Sequence, residues 1–145
     1  MKDGKVFIDT NILVYAYDIS AGEKHIKAVE IMKDLWNTSR GVISTQVLQE
    51  FFVNVTRKIP KPLDVAVAKE IVKDILKWKT VIVDGELILQ SFDIHKESGY
   101  SYWDSAIIAA ATTGGAKTLL SEDLSDKHVI KGVEIRNPFK EKTHK

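Results

Sequence analysis

The sequence predicts an α/β domain of three layers, α/β/α, on a central parallel sheet of about five strands. Three observations carry that prediction. The short apolar runs are continuous rather than alternating, as strands buried on both faces require. Longer segments with helical spacing of apolar residues separate those runs. Prolines and glycines fall where one kind of element gives way to the next.

The first run, Lys5-Val-Phe-Ile-Asp9, reads as a buried strand, and Thr10–Asp18 as a short helix directly after it. Residues 22–37 place Ile26, Val29, Met32 and Trp36 at helical spacing, with Ala28, Ile31 and Leu35 beside them. Gly41-Val-Ile-Ser44 is a second strand, followed by a helix with Val47, Leu48, Phe51, Phe52 and Val55 on one face. Pro60 and Pro62 break that helix, because proline lacks the amide donor and clashes with the preceding turn. Residues 63–78 form the next amphipathic helix and Thr80–Asp84 the third strand. Gly85–Ser98 reads as a helix stopped by Gly99, and a further helix starts at Ser101 as N-cap and stops at Gly114 and Gly115. Lys117–Ser121 and Val133–Asn137 complete the strands.

Composition narrows the function classes. The 145 residues are 44% hydrophobic and 28% charged, a globular balance. Lys plus Arg total 21 against 20 Asp plus Glu, so the formal net charge is +1, which excludes a strongly basic, histone-like binder but allows local basic patches. Cysteine is absent, which rules out thiol chemistry, disulfides and Cys-ligated zinc. The opening MKDGK is polar with no apolar stretch of signal type behind it, and no apolar run nears the roughly 18 residues of a spanning helix. The expectation is a cytoplasmic protein without a membrane partner.

In parallel sheets of this kind ligands bind beyond the carboxyl ends of the strands. The reading above places four acids at that edge: Asp9 after the first strand, Glu50 on the helix after the second, Asp104 in the first turn of the Ser101 helix, and Asp123 after Lys117–Ser121. Each alone has an ordinary explanation. Asp9 and Asp123 suit helix caps or turns, Asp104 suits a capping box, and Glu50 sits with Asn54 and Arg57 on the polar side of its helix. Together they are harder to dismiss, because clustered carboxylates repel unless a cation sits among them, and no Lys or Arg is equally placed. Oxygen-only ligands suit Mg²⁺ or Mn²⁺. Two such ions ~3.5–4 Å apart can activate water and stabilise the oxygens of a phosphodiester.

At these residues the sequence resembles a PIN domain, and within that family the VapC-type toxins of toxin–antitoxin pairs. The resemblance rests on Asp9-Thr-Asn11, the Gln49-Glu-Phe-Phe52 acid, Tyr102-Trp-Asp-Ser-Ala-Ile-Ile-Ala-Ala-Ala111 and Leu119-Leu-Ser-Glu-Asp-Leu124, and closes with Arg136-Asn-Pro-Phe139. It implies one domain over residues 1–139, with 140–145 a frayed basic tail. It also implies an Mg²⁺- or Mn²⁺-dependent endoribonuclease whose acids match Asp9, Glu50, Asp104 and Asp123, with Thr10, Asn11 and Ser121 as polar support and Asp126 able to share the last role.

On that reading Asp9, Asp104 and Glu50 hold a first metal, directly or through water, and Asp123 completes that site or a weaker second one. Metal-activated water then attacks a phosphodiester of single-stranded RNA, with Glu50 or Asp9 orienting it. His25, His95, His128 and His144 are expected on the surface or at caps rather than as bases. Arg57, Lys58 and Lys127 are the candidate RNA contacts. Tyr100, Tyr102 and Trp103 are candidates for base stacking, although Ile107 and Ile108 beyond Trp103 suggest that its ring packs inward.

The partners implied are RNA, a small antitoxin whose C-terminal segment brings an Arg or Lys to the acids, and a second copy of the chain. The apolar first third (Ile12, Val14, Tyr15, Tyr17 and residues 26–36) would supply the groove or dimer face, or else core. Alternatives are an RNA-processing PIN nuclease without antitoxin and a PIN-like module that binds without cutting. A phosphoacceptor receiver domain is a weaker fit. Asp84 would be its acceptor, but Asp9 is followed by Thr10 rather than a second acid, and Lys117 begins its strand instead of ending it.

Overall fold

Six strands form one sheet in a computed structural model that describes residues 4–140. In chain order the elements are β1 (Lys5–Ile8), α1 (Thr10–Tyr17), a short 3₁₀ turn (Ile19–Ala21), α2 (Glu23–Thr38), β2 (Gly41–Ser44), α3 (Thr45–Val53), a π turn (Asn54–Lys58), α4 (Val65–Ile75), β3 (Lys79–Val81), α5 (Gly85–Ser98), α6 (Tyr102–Thr113), β4 (Ala116–Leu120), β5 (Val129–Ile130) and β6 (Val133–Arg136). The spatial order is β3-β2-β1-β4-β6-β5. Every pairing is parallel except β5 with β6. The tail expected to fray lies, beyond Lys140, outside the described residues, as does His144.

That order explains the layers. The chain steps from β1 to β2 to β3 in one direction, with α1–α4 in the crossovers, and α5–α6 carry it back across the sheet to β4. Right-handed crossovers then put the two helix groups on opposite faces. Accordingly α1 packs on α2 and α3, while α6 lies under α5 and against β2, β4 and β6. Residues 105–111 of α6 are all buried, and its serine and alanines allow that sandwiched position. Gly114 ends the helix where a side chain would not fit, since a Cβ there would fall 2.6 Å from Val42 Cγ1. The core centres on Phe7, Ile8, Val42, Ile43, Phe51, Ile108 and Leu119. Among the described residues, no helix is long and apolar enough to cross a membrane.

The sequence-based elements hold with four differences. The third strand stops at Val81 rather than Asp84, because β3 is an edge strand. Ile82 is 70% exposed, and the Val83 N–H is taken instead by Thr45 Oγ1 at 3.2 Å. Strand β5 was not expected. Lys131 (φ 53) and Gly132 (φ 81) form a tight turn with two positive φ values, which folds two residues back onto β6. Helix α2 buries Ala28, Met32 and Leu35, whereas Ile26 and Trp36 are exposed, so the buried stripe is offset from the expected one. Finally, the α3 segment runs on through the π turn, with Ile59 N–H bonded to Asn54 O at 3.2 Å, and only then meets Pro60.

Candidate functional site

The sheet changes winding direction between β1 and β4, and their carboxyl ends open a crevice there. A cleft of about 400 Å³ occupies it, lined by Asp9, Thr10, Asn11, Val14, Gln46, Glu50, Asn54, Lys58, Trp103, Asp104, Ile107 and Asp123. All four expected acids are in that lining, and each arrives by a different route. Asp9 ends β1, where its N–H bonds to Leu120 O of β4 at 2.9 Å. Glu50 projects from the second turn of α3, a helix started by Ser44 Oγ capping the Val47 N–H. Asp104 stands in the first turn of α6, with its N–H on the Ser101 cap at 3.1 Å. Asp123 follows β4 in a loop whose turn is held by Ser121.

Asp9 both caps a helix and lines the cleft. Its Oδ1 accepts the Thr10 N–H at 2.7 Å as the N-cap of α1. Its Oδ2 accepts the Ser121 hydroxyl at 2.8 Å. Ser121 is fully buried, and its oxygen also takes the N–H groups of Asp123 (3.2 Å) and Leu124 (3.4 Å). The other expected polar residues serve acids too. The Thr10 hydroxyl donates to Glu50 Oε1 at 2.6 Å, and Asn11 Nδ2 donates to Asp123 Oδ2 at 2.9 Å.

The electrostatics are unfavourable without a cation. Burial, with Asp104 and Asp123 nearby, pushes Asp9 up to about 6 despite the bonds from Ser121 and Thr10. Asp104 is raised as well, by burial first and then by Asp123 and Glu50, against a Ser101 hydrogen bond. Among the described residues, however, no three His, Cys, Asp or Glu side chains are drawn together as a finished metal-ligating set. Thr10 and Asn11, the two residues after Asp9, hold Glu50 and Asp123 by hydrogen bonds. What the four share is one cavity. Their donor chemistry, oxygen throughout, fits a hard divalent ion. Asn11 Oδ1, buried beside them without a partner, is a further unused oxygen.

Several sequence expectations are redistributed. Asp126 does not line the cleft; its Oδ1 accepts the Asn137 N–H at 2.8 Å and so anchors the loop to the end of β6. Arg57 and Lys127 are exposed and also lie outside the lining. Lys58 does line the cleft, contrary to the expectation that no cation shares the acids' edge, yet it forms no ion pair with them. Lys58 closes the π turn, i+4 from Asn54 and i+8 from Glu50, so it falls on the same side of the helical segment as both. Asp84 caps α5 through the Leu87 N–H at 3.0 Å and does not line the cleft. No histidine among the described residues lines the cleft.

Gln46 was missed. Its amide donates to Glu50 Oε2 at 3.1 Å and to the Trp103 carbonyl at 3.4 Å, linking α3 to α6. The i, i+4 spacing of Gln46 and Glu50 was the available signal. Trp103, expected to pack inward, is 63% exposed, while Ile107 and Ile108 beyond it are buried. Tyr100 lies outside the cleft lining, and its hydroxyl accepts the Ser125 N–H and pairs with His128 Nδ1. The apolar first third is mostly core: Ile12 is buried, Tyr15 and Tyr17 are half-buried against it, and Val14 faces the cleft. The open apolar groove lies instead between α3 and α4, lined by Leu48, Phe52, Val53, Val65, Val72 and Leu76.

Comparison with known proteins places this geometry. The family model of the PIN domain matches residues 6–129. No curated protein matches the chain. Among solved structures, the toxin VapC20 of Mycobacterium tuberculosis, described as cleaving the sarcin–ricin loop, superposes with a TM-score of 0.63 at 19% identity, covering 82% of this chain and 92% of its own. A toxin–antitoxin complex from Klebsiella pneumoniae reaches 0.67 at 17% identity over 92% and 98%. A DNA-bound VapBC from Salmonella typhimurium reaches 0.63 at 20% identity over the same shares. At these identities the superpositions establish the shared fold.

Proposed function

Because this chain belongs to the PIN-domain family, we propose that it is a divalent-metal-dependent endoribonuclease, the toxin of a VapBC-type pair. The observation that carries the reading is the convergence of Asp9, Glu50, Asp104 and Asp123 on one cleft at the switch of the sheet. Asp9, held up at about 6 by burial and by its acidic neighbours, is a site whose charge calls for a cation.

In this mechanism Asp9, Glu50 and Asp104 would hold Mg²⁺ or Mn²⁺, and Asp123 would complete the site or a second, weaker one. The ion supplies acidification of water and neutralisation of charge on the phosphate oxygens. The chain's own residues do the positioning. Ser121 and the Thr10 N–H fix both oxygens of Asp9, and Thr10 and Gln46 fix those of Glu50, which leaves Glu50 set to orient the attacking water. Asn11 holds Asp123 on the far wall. The Lys58 ammonium, unpaired with the acids, is placed for the backbone phosphates of single-stranded RNA.

The protein partners are a small antitoxin, whose basic side chain would enter the acidic cleft, and a second copy of the chain. The fold likeness to toxins solved as antitoxin complexes supports the first. The test is cleavage of single-stranded RNA by the purified protein with Mg²⁺ or Mn²⁺. Asp9→Asn and Asp104→Asn should keep the parent's circular dichroism and lose at least ~100-fold in rate, and EDTA should abolish cutting. Folded variants that cut as fast as the parent would sink the mechanism.

A further inference from the structure

We propose that the indole of Trp103 is a stacking platform for an unpaired base of single-stranded RNA, beside the phosphodiester held at the four acids. The inference deepens the nuclease reading and rests on it. An exposed aromatic alone means little. This one is placed and braced. Trp103 lines the acidic cleft and is 63% exposed, and it precedes Asp104 directly in the first turn of α6.

Two contacts hold it, and a third backs one of them. Gln46 Nε2 donates to the Trp103 carbonyl at 3.4 Å and with the same amide reaches Glu50 Oε2 at 3.1 Å. The Tyr102 ring stands edge-on to the indole at 5.0 Å, and Phe92 supports Tyr102 at 5.6 Å. A ring fixed before binding loses little freedom when a base settles on it. Gln46 thus ties the backbone that carries the indole to Glu50, the acid proposed to orient water.

The chemistry around the ring favours a nucleotide over an apolar protein side chain. The rest of the cleft is mostly polar, with four carboxylates, two side-chain amides besides Asn11, and the Lys58 ammonium. A ligand that presents a flat π face next to a phosphate satisfies indole, ammonium and acid-bound cation together. Every base has such a face, so the contact grips without demanding one sequence.

Trp103 also carries its own reporter. The other two tryptophans, Trp36 and Trp78, pack against each other at 5.6 Å beside Lys5 and Gly41, at the opposite end of the strands. Their emission should not respond to a ligand in the cleft. The experiment titrates single-stranded oligoadenylate into Asp9→Asn protein, which the nuclease reading makes non-cleaving, and follows tryptophan fluorescence. Quenching is expected, lost in Asp9→Asn/Trp103→Ala together with about 10-fold weaker binding. In the cleaving parent, Trp103→Ala should raise KM about 10-fold with kcat within about two-fold, and Trp103→Phe should recover most of the loss.

Binding without quenching, an unchanged KM, or a fall in kcat alone would each overturn the stacking. So would fluorescence that changes with protein concentration in the absence of RNA, which would mean a second copy covers the indole. The two readings fail separately. Trp103-dependent quenching by a parent that never cuts upholds stacking and sinks the nuclease. Undiminished cutting by Trp103→Ala sinks stacking alone.

Discussion

Ser121, at the end of the fourth strand, donates its hydroxyl to Asp9, at the end of the first, across 2.8 Å of fully buried space. One oxygen therefore sets the orientation of the first acid and, through the Asp123 and Leu124 N–H groups, the turn that presents the last.

Removing that hydroxyl has two consequences of the same sign. Ser121→Ala strips a bond that holds the Asp9 carboxylate down, and leaves buried N–H groups short of an acceptor. A buried unsatisfied group costs ~1–3 kcal/mol. We expect a loss of that size in urea denaturation at pH 7, and an Asp9 titration above its parent value when followed by NMR without metal. A variant as stable as the parent would show that the bond is incidental.

Asp9 itself should make stability depend on pH. Its carboxyl is raised from 3.8 to about 6, so the folded state binds the proton more tightly than the unfolded chain does. The stability tied to the protonated acid is complete below about pH 4 and is lost as pH climbs through about 6. A shift of about two units corresponds to ~3 kcal/mol. Asp9→Asn, free of this loss, should exceed the metal-free parent by ~2–3 kcal/mol at pH 7.5 and match it near pH 4. Mg²⁺ should narrow the gap at pH 7.5 by stabilising the parent alone. Parallel stability curves for the two proteins would refute the assignment.

Lys58 lines the cleft with the acids without pairing to them, and the proposed function assigns it to the RNA phosphates. Lys58→Gln should weaken RNA binding similarly for every sequence and lower the slope of log K against log[salt] by about one charge. Arg57→Gln, outside the cleft, should do neither. Equal effects from the two would point to a general surface charge rather than this position.

Much of this protein was readable from its residues. Ser101 caps its helix where local chemistry said it would, and Gly99 ends one, because capping needs only neighbours within a turn. Continuous apolar runs announced β1, β2 and β4 for the same local reason. The four acids could be placed at one sheet edge because a parallel sheet sends every strand's carboxyl end the same way. What the sequence could not rank was the direction of each side chain at that edge. Lys58 lines the cleft while its neighbour Arg57 does not, and Asp126 leaves it because the Asn137 N–H claims its carboxylate. Trp103 stays outside the core although Ile107 and Ile108 behind it are buried. The first strand of the edge hairpin and the offset stripe of α2 were also undecided until neighbouring elements were in place. Local patterns determine which elements form and where they stop. The contents of the cleft depend on contacts between residues up to 112 apart in sequence, such as Ser121 with Asp9, and only packing the sheet brings those together.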